Sequence, residues 1–373
     1  MLRTERLTIV TSGVAALIAL VVLLAWSGNP ATAQTAASGA TITVNTAADL
    51  SKPDGNCSLR EAIRAADTNT AVDSCAAGKA RSQDTIQFSL GRRATIVLKR
   101  TLPPITARSG LTIFGGEESK IIVSGDDKVR VLAVRRDARL DLRNITVADG
   151  FADGDGEGGQ TGGAIKNNGG TLRVFRSTIS ANNAVSIGGG IANIGGGTLR
   201  VKNSTFAGNR AGSAGGGILN DGTLDLAYTT FYNNDAELIG GGIQNANNVR
   251  AITTLDNTVL AKSANGNINN VCAGGQCRGR VVDGGYNISD DASFRFTTQT
   301  SRSRTDPKFD PDGLQYNGGP TQTVALRPTS PAVNFIPKDT NGCGTTTTAD
   351  QRGTRRPQNL RCDAGAFEKV LRR

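Results

Sequence analysis

The chain of 373 residues contains no histidine, and that absence removes several chemistries at once. A Ser-His-Asp or Cys-His couple, an HExxH zinc site and a His-bearing zinc finger are all excluded. Acid-base work would fall to Asp, Glu, Lys and Arg. Paired carboxylates occur at Asp126-Asp127 and Asp290-Asp291, outside the most regular part of the sequence. Inverting glycoside hydrolysis needs two carboxylates about 6.5–9.5 Å apart, one of them a proton donor, so neighbouring acids alone do not meet the requirement. Asp153-x-Asp155-x-Glu157-Gly158 copies the first half of a calcium loop, with oxygens at alternate positions and Gly at the sharp turn. Position twelve of that loop is Ala164, where a bidentate Glu would be needed. A solvated Gly/Asp loop is the competing reading, and calcium is the sole cofactor the sequence offers. Arg173 and Arg200 fall at equivalent places in a repeat, flanked in the same series by Asp141 and Asp225. Such a row could serve an acidic ligand or a β-elimination, but it also suits plain charge alternation that keeps a β surface from aggregating. Tyr228 and Tyr232 sit close enough to form a small sugar platform or to pack on a strand surface.

Six cysteines form sequence-local couples: Cys57 with Cys75, Cys272 with Cys277, and Cys343 with Cys362. An even count in an exported chain suggests disulfides, and local pairing is the preferred scheme among the 15 that six cysteines allow. Export is expected from residues 1–33. Arg3 and Arg6 precede an apolar run from Leu7 to Trp26, and Ala31-Thr32-Ala33 fits a signal-peptidase site. An uncleaved anchor is the rival reading, and contact with a membrane is expected only through that leader. Either way the remainder lies outside the cytoplasm, secreted or at the cell surface. The formal net charge of +10 suits attraction to acidic glycans or cell-surface polymers, and equally suits plain solubility of an exported protein. No helix-turn-helix or RNP-like element supports sequence-specific nucleic-acid reading.

These residues must be positioned by a repeat between about Leu140 and Ala264. A Gly-Gly-(Ala/Gly)-Ile element ends at Ile165, Ile191, Ile218 and Ile243, with steps of 26, 27 and 25 residues. Two positions beyond each Ile stands Asn167, Asn193, Asn220 or Asn245. Alternating pairs follow: Leu172/Val174, Leu199/Val201 and Leu224/Leu226, each with an apolar residue five further on (Ile179, Phe206, Phe231). Period-two alternation cut by Gly and Asn reads as several short strands per unit. One unit cannot bury its apolar side alone, but stacked units make a continuous core. The predicted fold is therefore all-β: a right-handed parallel β-helix, a solenoid with coils of about 25–27 residues ~4.8 Å apart. The recurrent asparagines are expected to form a ladder of side-chain amides at a turn that needs left-handed backbone.

The domain reading is a leader at 1–33, an N-terminal cap at 41–83, the β-helix at 84–270 and an irregular C-terminal β region at 271–373. Within the cap, Ser58-x-x-Glu61 is a capping box, and Leu59, Ala62, Ile63 and Ala66 share one helical face. This short amphipathic helix is expected to cover the first coil, with its arginines on the wet side.

The hexapeptide Cys57-Ser58-Leu59-Arg60-Glu61-Ala62 resembles the CSLREA domain. The Gly-Gly-Gly-Ile and Asn-Ser-Thr-Phe repeats resemble β-helix proteins of the polymorphic outer-membrane type. Asn317-Gly318-Gly319-Pro320-Thr321-Gln322-Thr323, with Cys362-Asp363-Ala364-Gly365-Ala366-Phe367-Glu368, resembles the choice-of-anchor Q region; Ala364 stands where that family more often has Ile or Arg. The resemblance implies a secreted or surface-displayed bacterial protein and brings no catalytic residues. The expectation is thus a monomeric, non-catalytic exported protein of adhesion, surface display or glycan and matrix interaction. The alternative is a calcium-dependent lyase, or another carbohydrate-active enzyme, on acidic polysaccharide. Three or more carboxylates clustered beside Arg in one groove would favour the enzyme.

Overall fold

A computed structural model describes residues 38–154, 159–272 and 276–370. The leader at 1–33 lies outside them, as do Asp155 and Glu157 of the candidate calcium loop. Among the described residues the chain winds into a right-handed parallel β-helix with one short N-terminal helix. Its first sheet has nine parallel strands, from Thr41–Val44 to Arg280–Asp283. A second has eight, from Arg93–Val97 to Ile288–Ser289, and a third has six, from Leu132–Val134 to Ile268–Asn270. Pairing therefore begins before the cap helix and runs past residue 270, so the stack is longer than the 84–270 span expected for the β-helix.

The register is the one that the repeat offsets imply. Leu140, Leu172, Leu199 and Leu224 lie one above another, as do Val147, Ile179, Phe206 and Phe231. All are fully buried, and the Phe206 and Phe231 rings stack 5.0 Å apart. Each inward row buries one large apolar side chain per rung, worth about 1.5–3 kcal/mol apiece. The glycine triplets follow from crowding: a Cβ on Gly189 would lie 2.1 Å from the Arg210 carbonyl oxygen, and one on Gly216 2.1 Å from that of Asp235.

The amide ladder forms, but not at a left-handed turn. Asn167 donates to Asn193 (2.7 Å), Asn193 to Asn220 (2.8 Å), Asn220 to Asn245 (3.0 Å) and Asn245 to Asn270 (2.9 Å). These residues are in extended strands and point inward; each also donates to a carbonyl of the turn that follows, such as Gly170 or Gly197. Left-handed backbone in that turn is carried by Gly169, Gly195 and Gly196 instead, which meet no Cβ penalty. A second ladder joins Asn182, Asn209 and Asn234 at 2.9 Å per step.

The helix Leu59–Thr68 packs on the strands Thr41–Val44 and Asp84–Phe88, closing the first coil. Its capping box is complete: Ser58 Oγ accepts from the Glu61 amide, and Glu61 Oε2 accepts from the Ser58 amide at 3.0 Å. Arg60 is not on a wet face. It is buried, pairs with Asp49 (2.7 Å), and donates to the Arg100 and Thr101 carbonyls. Full pairing is what makes a buried guanidinium tolerable. At the other end Asp283 gathers donors from Thr297, Thr298 and Ser301, drawing that segment across the last coil. Disulfides join Cys57 to Cys75, Cys272 to Cys277 and Cys343 to Cys362.

The C-terminal region then doubles back along the flank of the stack. Gln351 is fully buried and bonds the hydroxyls of Thr178 (3.0 Å) and Thr205 (2.7 Å), which are successive members of one outward row. The Ala366 amide donates to the next member, Thr230. A second apolar core lies beneath, built from Tyr228, Val259, Phe309, Ile336, Ala364 and their neighbours. Arg356 is completely buried here, 4.4 Å above the Tyr228 ring and 3.0 Å from Glu368.

Candidate functional site

Strand alternation sends every second side chain of the first sheet outward, and in-register stacking lines these residues up along the axis. One outward row reads Thr112, Asp141, Arg173, Arg200, Asp225, Thr254. The next reads Phe114, Arg143, Phe175, Lys202, Ala227, Asp256. Between them the surface is concave, with a cavity of about 520 Å³ lined by these charged residues and by Phe175. A second concavity of about 430 Å³ shares Arg143 and Phe175 and continues toward the N-terminal coils through Phe114 and Gln83. The groove thus runs parallel to the solenoid axis.

Its electrostatics are patterned. Asp141 accepts from Arg139 (3.1 Å) and Gln83 (3.1 Å) and faces Arg143 and Arg173 at 3.6 and 3.9 Å. Burial alone would raise its pKa, but those hydrogen bonds and the charges of Arg139 and Arg173 outweigh it and hold the carboxyl below its ordinary value. Asp225 pairs with Arg200 at 3.1 Å. The carboxylate of Asp256, diagonally beside Asp225, has no hydrogen-bond donor among the described residues; burial, then the charges of Asp225 and Asp283, raise its pKa. Lys202 donates to the Thr346 carbonyl at 2.8 Å, and burial followed by Arg356 lowers its pKa.

Three carboxylates do line this groove beside arginines; Asp225 and Asp256 lie on adjacent rungs, and Asp141 stands apart from them. Asp141 and Asp225 are three rungs apart, about 14 Å at the spacing of paired strands. No group of three His, Cys, Asp or Glu among the described residues is arranged to hold a metal ion. Of the candidate calcium loop, Asp153 is described and its charge acts on Arg130. The paired acids elsewhere are occupied with structure: Asp290 and Asp291 receive Asn267 and the Lys262 amide, and Asp126 pairs with Lys128. The two tyrosines part company. Tyr228 is buried under Arg356, whereas Tyr232 is half-exposed on the outer face of the second sheet.

Sequence offsets alone place Asp141, Arg173, Arg200 and Asp225 in one row. They did not single out Phe175 and Lys202, although the register Phe175↔Lys202 follows from the same alignment. Among the described residues no helix is long and apolar enough to cross a membrane.

No family model matches the sequence, and no curated protein does. A solved structure of jun a 1, the major allergen from cedar pollen, superposes with a TM-score of 0.40 at 13% identity, over 72% of this chain and 82% of that one. That likeness concerns the winding of the chain alone.

Proposed function

We propose that the protein is an exported, non-catalytic β-helix protein of adhesion or surface display, which holds acidic glycans or similar anionic cell-surface polymers along its first sheet. One observation carries the reading: Arg143, Arg173, Arg200 and Lys202 come from three successive rungs into a single groove, beside the exposed edge of Phe175. Over these three rungs cations recur at the rung spacing, so a polyanion segment meets a cation at each of them, whereas the next rungs carry Asp225 and Asp256. Export is supported by the leader at 1–33 and by three disulfides. The CSLREA hexapeptide at 57–62 and the tail at 362–368 support a place among choice-of-anchor Q surface proteins.

The test is calorimetric titration of the full chain with polygalacturonate and alginate, at low and high salt, with calcium and with chelator. Binding should be independent of calcium and weaken with salt. It should fall at least about tenfold in the Arg173→Ala/Arg200→Ala double variant. Absence of binding to any polyanion at low salt would refute the reading. A calcium-dependent lyase is the second reading, supported by Asp225, Asp256, Arg200 and Lys202 sharing the groove. β-Elimination creates a conjugated double bond, so growth of ultraviolet absorbance from either polymer with calcium would replace the first reading by the second.

A further inference from the structure

A different cavity, of about 420 Å³, opens between the second sheet and the C-terminal hairpin whose strands are Phe309–Gln315 and Thr323–Leu326. Its floor is an outward row of the second sheet: Ala148, Ser180 and Ala207, in register with Tyr232 on the next rung. Three small side chains leave a trough and the fourth closes one end. Ile122 and Leu314 supply apolar walls. The Tyr232 ring is held in place: it meets Phe309 edge-on at 5.5 Å, and a Cβ on Gly313 would lie 3.3 Å from it.

Polar groups with hydrogen-bonding capacity to spare line this trough. One Asp149 oxygen accepts from Ser124 Oγ at 2.9 Å, and the other has no donor among the described residues. The side-chain amides of the exposed Asn233 and the half-buried Gln322 are likewise unengaged by other described groups. Burial, and then the charges of Asp127 and Asp126, hold the Asp149 carboxyl above its ordinary pKa. No Arg or Lys is among the lining residues, which sets the cavity apart from the cationic groove; at its Tyr232 end Lys262 lies 5.2 Å over the ring and 3.5 Å from its hydroxyl. From Ala148 to Tyr232 it spans three rung spacings, about 14 Å.

We infer that this trough is a second saccharide site, for a short neutral oligosaccharide lying along the axis. One sugar's C–H face packs on Tyr232 beside Asn233, the middle of the chain meets Gln322 over Ser180, and hydroxyls at the far end donate to Asp149. Apolar floor, one aromatic wall and a few convergent hydrogen-bonding groups are the general makings of such a pocket. The site does not depend on what the first groove binds.

The test titrates the full chain with cellohexaose and mannohexaose by calorimetry. At least one should bind with one site per chain and little dependence on salt. Tyr232→Ala and Gln322→Ala should each weaken binding at least about tenfold. Tyr232→Phe, which keeps the ring, should bind as the parent does. Gln322→Ala guards against misfolding, because its main-chain carbonyl still accepts from Thr178 and Gln351. The Arg173→Ala/Arg200→Ala variant should bind unchanged. The inference is overturned if neither oligosaccharide binds, if Gln322→Ala and Tyr232→Ala bind like the parent, or if the arginine variant loses binding, which would put the ligand in the first groove.

Discussion

Asp141 shows how one side chain serves both the groove and the fold. Its side chain is nearly inaccessible, and it collects Arg139, Arg143, Arg173 and Gln83. Since its pKa in the folded protein is depressed, its contribution to stability is present above the unfolded value near 4 and lost as pH falls through the folded value. The arginines are partly in water, which discounts the pair energy. Asp141→Asn should therefore cost about 1–2 kcal/mol at neutral pH. The deficit should begin to shrink as the solution is acidified below about pH 4 and close only below the depressed folded value, where the parent's carboxyl is also uncharged. Urea unfolding followed by circular dichroism at pH 7 and in strong acid checks this; a deficit unchanged in acid would mean the ion pairs are irrelevant. The same variant leaves the groove more cationic, so polyanions should bind it more tightly than the parent. Asp141 and its arginines were legible because offsets within a repeat predict register. Arg60 and Tyr228 were not, because their burial is decided by partners far away in sequence, the Arg100 and Thr101 carbonyls and Arg356.

Strands of three to five residues are held together here by ladders as much as by their apolar rows. Asn193 accepts from Asn167 and donates to Asn220 and to the Gly197 carbonyl, all in a dry interior. Removing it takes bonds from buried groups on both neighbouring rungs, each worth about 0.5–1.5 kcal/mol net. Asn193→Ala should thus destabilise by roughly 2–4 kcal/mol. Asn270→Ala, at the half-exposed end of the same ladder, should cost under about 1 kcal/mol, because water replaces the lost bond. Denaturant midpoints of the two variants decide it; equal losses would show that the ladder is decoration on a stack held by packing alone. At the level of elements the repeat announced the coils, the ladder and the cap helix with its Ser58 and Glu61. It misplaced the left-handed residues, because Asn is common in both left-handed turns and strand ladders. Here glycine takes that turn and leaves the amides free to face inward.

The molecule as a whole has two layers: a stack whose coils repeat, and a C-terminal region laid lengthwise against it. The second layer had no legible path, since it has no period and its contacts reach across some 145 to 175 residues, as in Gln351 with Thr178 and Thr205. Its lock is ionic and buried. Arg356 is shared by Glu368, by the Asp363 and Gly365 carbonyls and by the Tyr228 ring. Burial pushes Glu368 up to about 7, against the pull of Arg356 and with the push of Asp363, whose own pKa burial also raises. A carboxyl with a raised pKa in the folded state favours folding most when protonated, so stability is full below about 4.5 and declines as pH rises through 7. The decline attributable to this carboxyl is on the order of 3 kcal/mol, flat above its folded pKa. Glu368→Gln, which cannot ionise, should keep the tail docked with much less pH dependence over that interval. Hydrogen exchange of amides in 341–370 from pH 5 to pH 8, corrected for intrinsic rates, measures the docking directly. Protection in the parent that grows toward pH 8, or a slope as steep in Glu368→Gln, would show that the ion pair favours the charged form and that burial is not what governs this lock.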